Sequence, residues 1–261
     1  MQMASKLHAI LTRFREDQPT WRQVDLARAL ELSPSALSRS LASLVETGFL
    51  RFDADTGSYR LGPTVVSLAG AAINEYEEFR HAYAELHALM ASTLLGANLA
   101  VPDDDRLMYL FHLDGPKMKR GNTLIGRHAP LHATALGKAL LSGSSAEALE
   151  AWLTNTSLPG YTVHTITDPA RLRTELAEVR ARGYATEQEE LALGRGCIAV
   201  PIRARDGHVV AAMSLSGPKD AIRLDLEADT YAGLLLDATE RISARLGYRT
   251  AVTSRWQTAE L

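Results

Sequence analysis

The chain has 261 residues, 46% hydrophobic, 23% charged and 6% aromatic, the composition of an ordinary folded protein with one large or two modest domains. That excludes a disordered, collagen-like or mucin-like chain. A formal charge of −3 gives no sign of a phosphate-coating protein, which carries a large basic excess. The single cysteine, Cys197, excludes an internal disulfide framework and a Cys-pair zinc site, and points to a reducing compartment. No apolar run approaches the ~18 to 20 residues of a spanning helix and the N-terminus has no leader pattern, so a cytoplasmic protein with no membrane partner is expected.

In chain order, Met3, Leu7, Ile10, Leu11 and Phe14 share one face of a first helix. Leu26, Ala27 and Leu30 stripe a short second helix over 22–30. A third begins at Ser33-Pro34, where serine is a good N-cap and proline at the first helical position loses no needed N–H. Leu37, Leu41, Leu44 and Val45 form its buried stripe, Gly48 closes it, and Ser35, Arg39, Ala42, Ser43 and Glu46 face solvent. Two strand-like runs, 49–52 and 58–61, flank the turn residues 53–57 and complete a hairpin. Three short helices followed by a hairpin make a winged helix-turn-helix, whose third helix reads a DNA groove.

A groove-reading helix needs a small, polar N-terminal half and a cation or two. Ser33, Ser35, Ala36, Ser38 and Arg39 supply it, with Arg51 and Arg60 as wing contacts to double-stranded operator DNA. Residues 1–62 hold eight basic and seven acidic side chains, a net +1, so useful affinity calls for a homodimer or homotetramer reading paired half-sites. The other use of such a unit is as a protein-association module. Asp55-Thr56-Gly57 matches the aspartic-protease tripeptide, but at a hairpin tip rather than in a two-carboxylate cleft.

From Pro63 to Leu94 the pattern is nearly continuous helix, with Leu68, Ala72, Tyr76, Phe79, Tyr83, Leu86 and Met90 near helical spacing. Strands are expected near 97–101, 107–113, 184–187, 197–203 and 209–216, with a turn at 102–105 and a loop from 114 to about 130. Helices are expected near 133–141, 145–153, 169–182 and 224–246, with Leu226, Leu234 and Ile242 as core. The fold class is α+β: a winged helix-turn-helix over 1–62, a linker helix over 63–80, and a mainly antiparallel sheet with packed helices over 81–261. The tail 250–261 is read as flexible.

Several long motifs in order then carry a resemblance. The run from Pro130 to Leu141 (PLHATALGKALL), Glu189-Glu190, the run from Gly196 to Ile202 (GCIAVPI) and the stretch from Gly207 to Pro218 ending SLSGP resemble the effector domain of IclR-type transcriptional regulators, and the N-terminal unit is similar to theirs. The resemblance implies a GAF-like domain that binds a small organic effector, such as a carboxylic or aromatic acid, and so alters operator binding. It implies an effector pocket of Ala135, Leu136, Glu187, Cys197, Ser214 and Ser216. N–H groups at a helix N-terminus favour a carboxylate or other anionic group, and hydroxyls on a central strand fix its orientation. Glu187 stands where the family often has Asp, and Arg195 where an apolar residue is common. No cofactor and no catalytic or metal-binding residue is implied.

The same residues allow other readings. Cys197 could be a nucleophile with His132 or His208 as base and Glu187 as orienter, making a cysteine-dependent enzyme. A cysteine in an apolar strand is more often inert. His128 and His132 have a metal-like spacing, but Pro130 breaks the helix that would align them. Gly194 and Gly196 lack the helix that a dinucleotide loop needs.

Overall fold

A computed structural model of the chain describes residues 3–117 and 125–249; the expected flexible tail lies outside the described residues. The chain divides into two compact units, Met1–Glu75 and Tyr76–Leu261.

The first unit runs α1 (Met3–Leu11), β1 (Thr20–Arg22), α2 (Gln23–Ala29), α3 (Pro34–Glu46), β2 (Leu50–Asp53), β3 (Ser58–Leu61) and α4 (Pro63–Asn74). Ile10, Phe14, Leu26, Leu37, Leu41, Leu44 and Leu50 form its core. Two expectations fail in α1: the helix ends at Leu11, so Phe14 reaches the core from the following turn, and Met3 is 79% exposed because the stripe's first turn overhangs that core. α3 matches its reading closely. Ser33 caps it by accepting from the Ala36 N–H at 3.3 Å, and Gly48 follows it with φ +73°, a left-handed conformation that favours glycine. Strand β1 was not legible: three residues are too few to set an alternating pattern apart, and they join the hairpin as an edge, in the order β1-β3-β2.

The expected continuous helix through 63–94 is two helices, α4 and α5 (Glu77–Thr93), with Tyr76 extended between them. Asn74 favours an end, and Glu77 and Glu78 favour a new N-terminus where their charge meets the helix dipole. The break falls inside the proposed 63–80 linker.

The second unit continues with β4 (Gly96–Asp103), β5 (Arg106–Leu113), β6 (His128–Pro130), α6 (Ala135–Leu141), α7 (Ala146–Asn155), α8 (Pro169–Arg182), β7 (Ala185–Gln188), β8 (Arg195–Arg203), β9 (Val209–Pro218), α9 (Lys219–Ile222) and α10 (Leu224–Arg245). All six strands pair antiparallel, in the order β6-β5-β4-β9-β8-β7. The turn expected at 102–105 shrinks, since β4 extends to Asp103, and the end of the expected loop pairs as β6.

Alternation along the strands sends Leu99, Val200, Met213 and Leu215 to one face, against α5 and α10. Ala100, Ala199 and Ala212 point to the other, against α6. These small residues let α6 lie close, and every residue of α6 is buried. A Cβ on Gly137 would meet the Leu131 carbonyl oxygen at 2.2 Å, so only glycine permits the approach that seats α6 there. On α10 Ile242 is core as expected, but Leu226 is 63% and Leu234 38% exposed. The helix presents Tyr231, Leu235, Ala238 and Ile242 to the sheet instead, and those two leucines lie off that stripe.

Candidate functional site

In the first unit, Leu37, Leu41 and Leu44 fix the rotation of α3 by burying one face. The opposite face carries exposed Ser35, Ser38, Arg39 and Ala42. Ser33 is occupied as the cap and lies 3.4 Å from the Ser35 hydroxyl; Ala36 is half-buried, and its carbonyl accepts from Lys6 Nζ at 2.6 Å. Lys6 thus brings a cation to the N-terminal half of α3, which no local pattern indicated, because 30 residues separate the pair. On the hairpin Arg51 and Arg60 are exposed and stand directly opposite each other. The Asp55-Thr56-Gly57 run forms the hairpin turn, where Asp53 Oδ1 accepts from the N–H groups of Asp55 and Thr56.

In the second unit the strand register collects the other candidates on the α6 side of the sheet. Glu187 pairs with Cys197, and Cys197 with Ser216. One step along, Ala199 pairs with Ser214, Ser214 with Asn98 and Asn98 with His112. Asn98 Nδ2 donates to Ser214 Oγ at 3.0 Å and to Ser216 Oγ at 3.2 Å. Its Oδ1 lies 2.7 Å from His112 Nδ1, whose ring meets Asp114 Oδ1 through Nε2 at 3.0 Å. Asn98, Ser214 and Ser216 are all buried. Ala135 and Leu136 begin α6 after the Thr134 cap, which accepts from the Gly137 N–H at 3.0 Å; their side chains pack in the core, leaving only backbone groups to offer.

Burial raises the Glu187 carboxyl to about 7, against the lowering effect of the Leu191 and Glu190 N–H groups. Glu187 Oε1 accepts from those groups at 3.2 and 2.6 Å, so it also ties down the loop after β7. Burial, followed by the Glu187 charge, pushes the Cys197 thiol up to about 12. The Ser214 side chain is hydrogen-bonded to Cys197. Tyr109 lies within electrostatic reach of Cys197, Arg195, Glu187 and Arg127, and burial holds its phenol protonated well above the usual range. Arg195 is exposed, yet its charge acts on both Cys197 and Tyr109. Asn98, Tyr109 and His112 were missed because only the register places them here.

The nucleophile–base arrangement is not formed. His132 Nε2 donates to the Pro159 carbonyl at 3.0 Å, His208 pairs with Asp206 in the exposed β8–β9 turn, and the thiol keeps its proton. His128 turns to Asp103 at 2.5 Å rather than to His132, and Gly196 is followed by strand rather than helix.

Comparison with known proteins is decisive for the family. Residues 71–244 match the family model "Bacterial transcriptional regulator IclR C-terminal", and residues 4–54 match "IclR helix-turn-helix domain". The chain belongs to the IclR family. It is a DNA-binding transcriptional regulator with an effector-binding C-terminal domain. Among IclR-family relatives, it is 31% identical to the regulator KdgR of Dickeya chrysanthemi over 224 residues, covering 86% of this chain and 73% of that one. It is 29% identical to XynR of Escherichia coli over 248 residues, 95% and 98% of the two chains. Similar solved structures include the Thermotoga maritima IclR (TM-score 0.78, 26% identity, 94% and 98% coverage). Another is an IclR homologue from Microbacterium hydrocarbonoxydans complexed with 4-hydroxybenzoate (TM-score 0.83, 26% identity, 94% and 99% coverage).

Proposed function

We propose that this IclR-family regulator senses a small organic carboxylate on the α6 side of its sheet and answers by changing the operator affinity of a homodimer or homotetramer. The observation that carries the reading is the cross-strand cluster of buried Glu187, Ser214 and Ser216 with the half-buried Cys197, polar groups converging beside small apolar residues. The unpaired first N–H groups of α6, at Ala135 and Leu136, add donors. The 4-hydroxybenzoate in the Microbacterium homologue is an aromatic carboxylate, and the same class suits the hydroxyls here.

Operator contacts come from Ser33, Ser35, Ala36, Ser38 and Arg39 on α3 and from Arg51 and Arg60 on the wing. A second copy is supported by α4, which carries no charged residue and buries none of its side chains. The effector acts by preferring one geometry of the assembly, with a coupling of ~1 to 3 kcal/mol. The second unit acts by binding rather than turnover, supported by the protonated thiol and by histidines engaged elsewhere. An operator partner goes with a cytoplasmic protein; among the described residues no helix is long and apolar enough to cross a membrane.

The test pairs two measurements on the full-length protein. Genomic fragments selected by the wild type should bind with a steep salt dependence, and Arg39→Ala should weaken binding about 10- to 100-fold. A thermal-shift screen of small carboxylates should find a stabilising ligand whose effect falls in Ser214→Ala while DNA binding persists. Salt-insensitive binding, or loss of DNA binding in a folded Ser214→Ala protein, overturns the assignment.

A further inference from the structure

The arginines of the wing do not stop at the hairpin but run on across the sheet into β1. Direct cross-strand partners share a face, as do residues two apart along a strand. Thr20 pairs with Arg60 and Arg60 with Arg51, while Arg22 pairs with Ser58 and Ser58 with Asp53. Trp21 and Tyr59, on the other face, pack against the core of the first unit. Arg22, Arg60 and Arg51 therefore stand together on the outer face, and all three are exposed. Arg22 and Arg60 are diagonal neighbours, a spacing of about 7–8 Å that long side chains span.

A cleft of about 400 Å³ lies on this face, with Thr20, Arg22 and Arg60 in its lining. The two acids beside them are occupied. Asp25 meets Arg28 at 3.4 Å, and Asp53 Oδ1 accepts from the N–H groups of Asp55 and Thr56 in the turn. Among the described residues no carboxylate pairs with Arg22. Gln23, the next residue, donates its side-chain amide to the Pro34 carbonyl at 3.3 Å, so the end of β1 adjoins the start of α3. Arg22 is thereby set one residue from a contact with the helix that carries Ser35, Ser38 and Arg39.

The hairpin tip has the opposite charge. No basic residue lies between Arg51 and Arg60, whereas Asp53 and Asp55 do. The Thr56 N–H holds the Asp53 carboxyl below the usual range, so it stays ionised. Proteins that read the minor groove use Arg, Lys, Asn or Gln, and the turn 53–57 offers none of them.

We infer that Arg22, with Thr20 and Arg60 beside it, binds an operator backbone phosphate on the outer face of the wing sheet, and that the acidic hairpin tip stays out of the minor groove. The inference deepens the DNA-binding assignment and rests on it for the identity of the partner.

The experiment uses the full-length protein and one genomic fragment selected by the wild type, ethylated at random on its phosphates. Ethylation should block wild-type binding at a set of phosphates, and Arg22→Ala should become indifferent at one of them in each half-site. In anisotropy titrations Arg22→Ala should bind about tenfold more weakly with a salt slope lower by about 1, and Arg22→Lys should restore the slope. An unchanged ethylation pattern and slope in Arg22→Ala, with Arg39→Ala still weakened, overturns the phosphate site and leaves the regulator reading standing. Salt-insensitive binding by the wild type overturns the reading beneath it. Asp55→Lys, measured at ~0.15 M salt where charges beyond about 8 Å are screened, should change affinity less than about twofold. Larger tightening with a steeper slope puts the tip in the groove and overturns that half of the inference. Millimolar inorganic phosphate at fixed ionic strength separates the two sources of the group. Thermal stabilisation of the wild type by it, lost in Arg22→Ala while DNA affinity is unaltered, makes this a site for free phosphate and overturns the operator assignment.

Discussion

Arg51 and Arg60 are direct cross-strand partners on the wing hairpin, both exposed. Like charges in that position repel, and the hairpin tolerates them because solvent screens them. A DNA phosphate placed between them would relieve the repulsion. Arg51→Ala and Arg60→Ala should therefore leave the free protein as stable as wild type or slightly more so, yet weaken operator binding and each lower the salt slope by about 1. Thermal melts and fluorescence-anisotropy titrations at several salt concentrations check both signs.

Ser33 serves two roles that substitution can separate. Ser33→Ala removes the cap on α3 and should cost about 1 kcal/mol of stability in chemical denaturation. Ser33→Asp keeps a capping oxygen and should retain that stability. Its charge would repel phosphate, so DNA affinity should fall in the stable variant.

Lys138 is 1% exposed and meets Glu190 Oε1 at 2.7 Å inside the second unit. Burial raises the Glu190 carboxyl and Lys138 opposes the rise, while Glu190 Oε2 is buried without a hydrogen-bond partner among the described residues. Removing the cation strands that carboxylate, so Lys138→Met should cost about 3–5 kcal/mol. Lys138→Met with Glu190→Leu should recover most of the loss, since an apolar pair carries no desolvation penalty. Urea denaturation of the single and double variants measures the difference.

Glu187 titrates at about 7 in the folded protein and near 4.5 when unfolded. Between those values the native state holds a proton that the unfolded state has released, so this group makes stability fall as pH rises from about 4.5 to 7. Glu187→Gln keeps an acceptor for the Glu190 and Leu191 N–H groups and removes the ionisation. The variant should show a flatter pH–stability profile across that window and gain on wild type above it. A wild-type profile that rises from pH 5 to 8, with no difference in slope from the variant, contradicts this.

How much was legible depended on the range of the contact. The α3 start at Ser33-Pro34, its leucine stripe and its close at Gly48 follow from neighbours within four residues, and they stand as read. The linker misled because apolar spacing runs through Asn74–Tyr76 undisturbed, while the break depends on backbone capping that periodicity does not record. Leu226 and Leu234 misled because a 22-residue helix carries more apolar residues than the sheet can cover.

The sequence by itself determined a winged helix-turn-helix followed by an α+β domain, and the family resemblance of its motifs pointed to Glu187, Cys197, Ser214 and Ser216 as the expected pocket. Tertiary structure alone decided that Asn98, Tyr109 and His112 join them, and that Lys6 stands at the N-terminal half of α3. The reason is physical. Helix caps and stripes are written in adjacent residues, whereas a cross-strand row is assembled by register, and Asn98 lies 116 residues before the Ser214 it hydrogen-bonds.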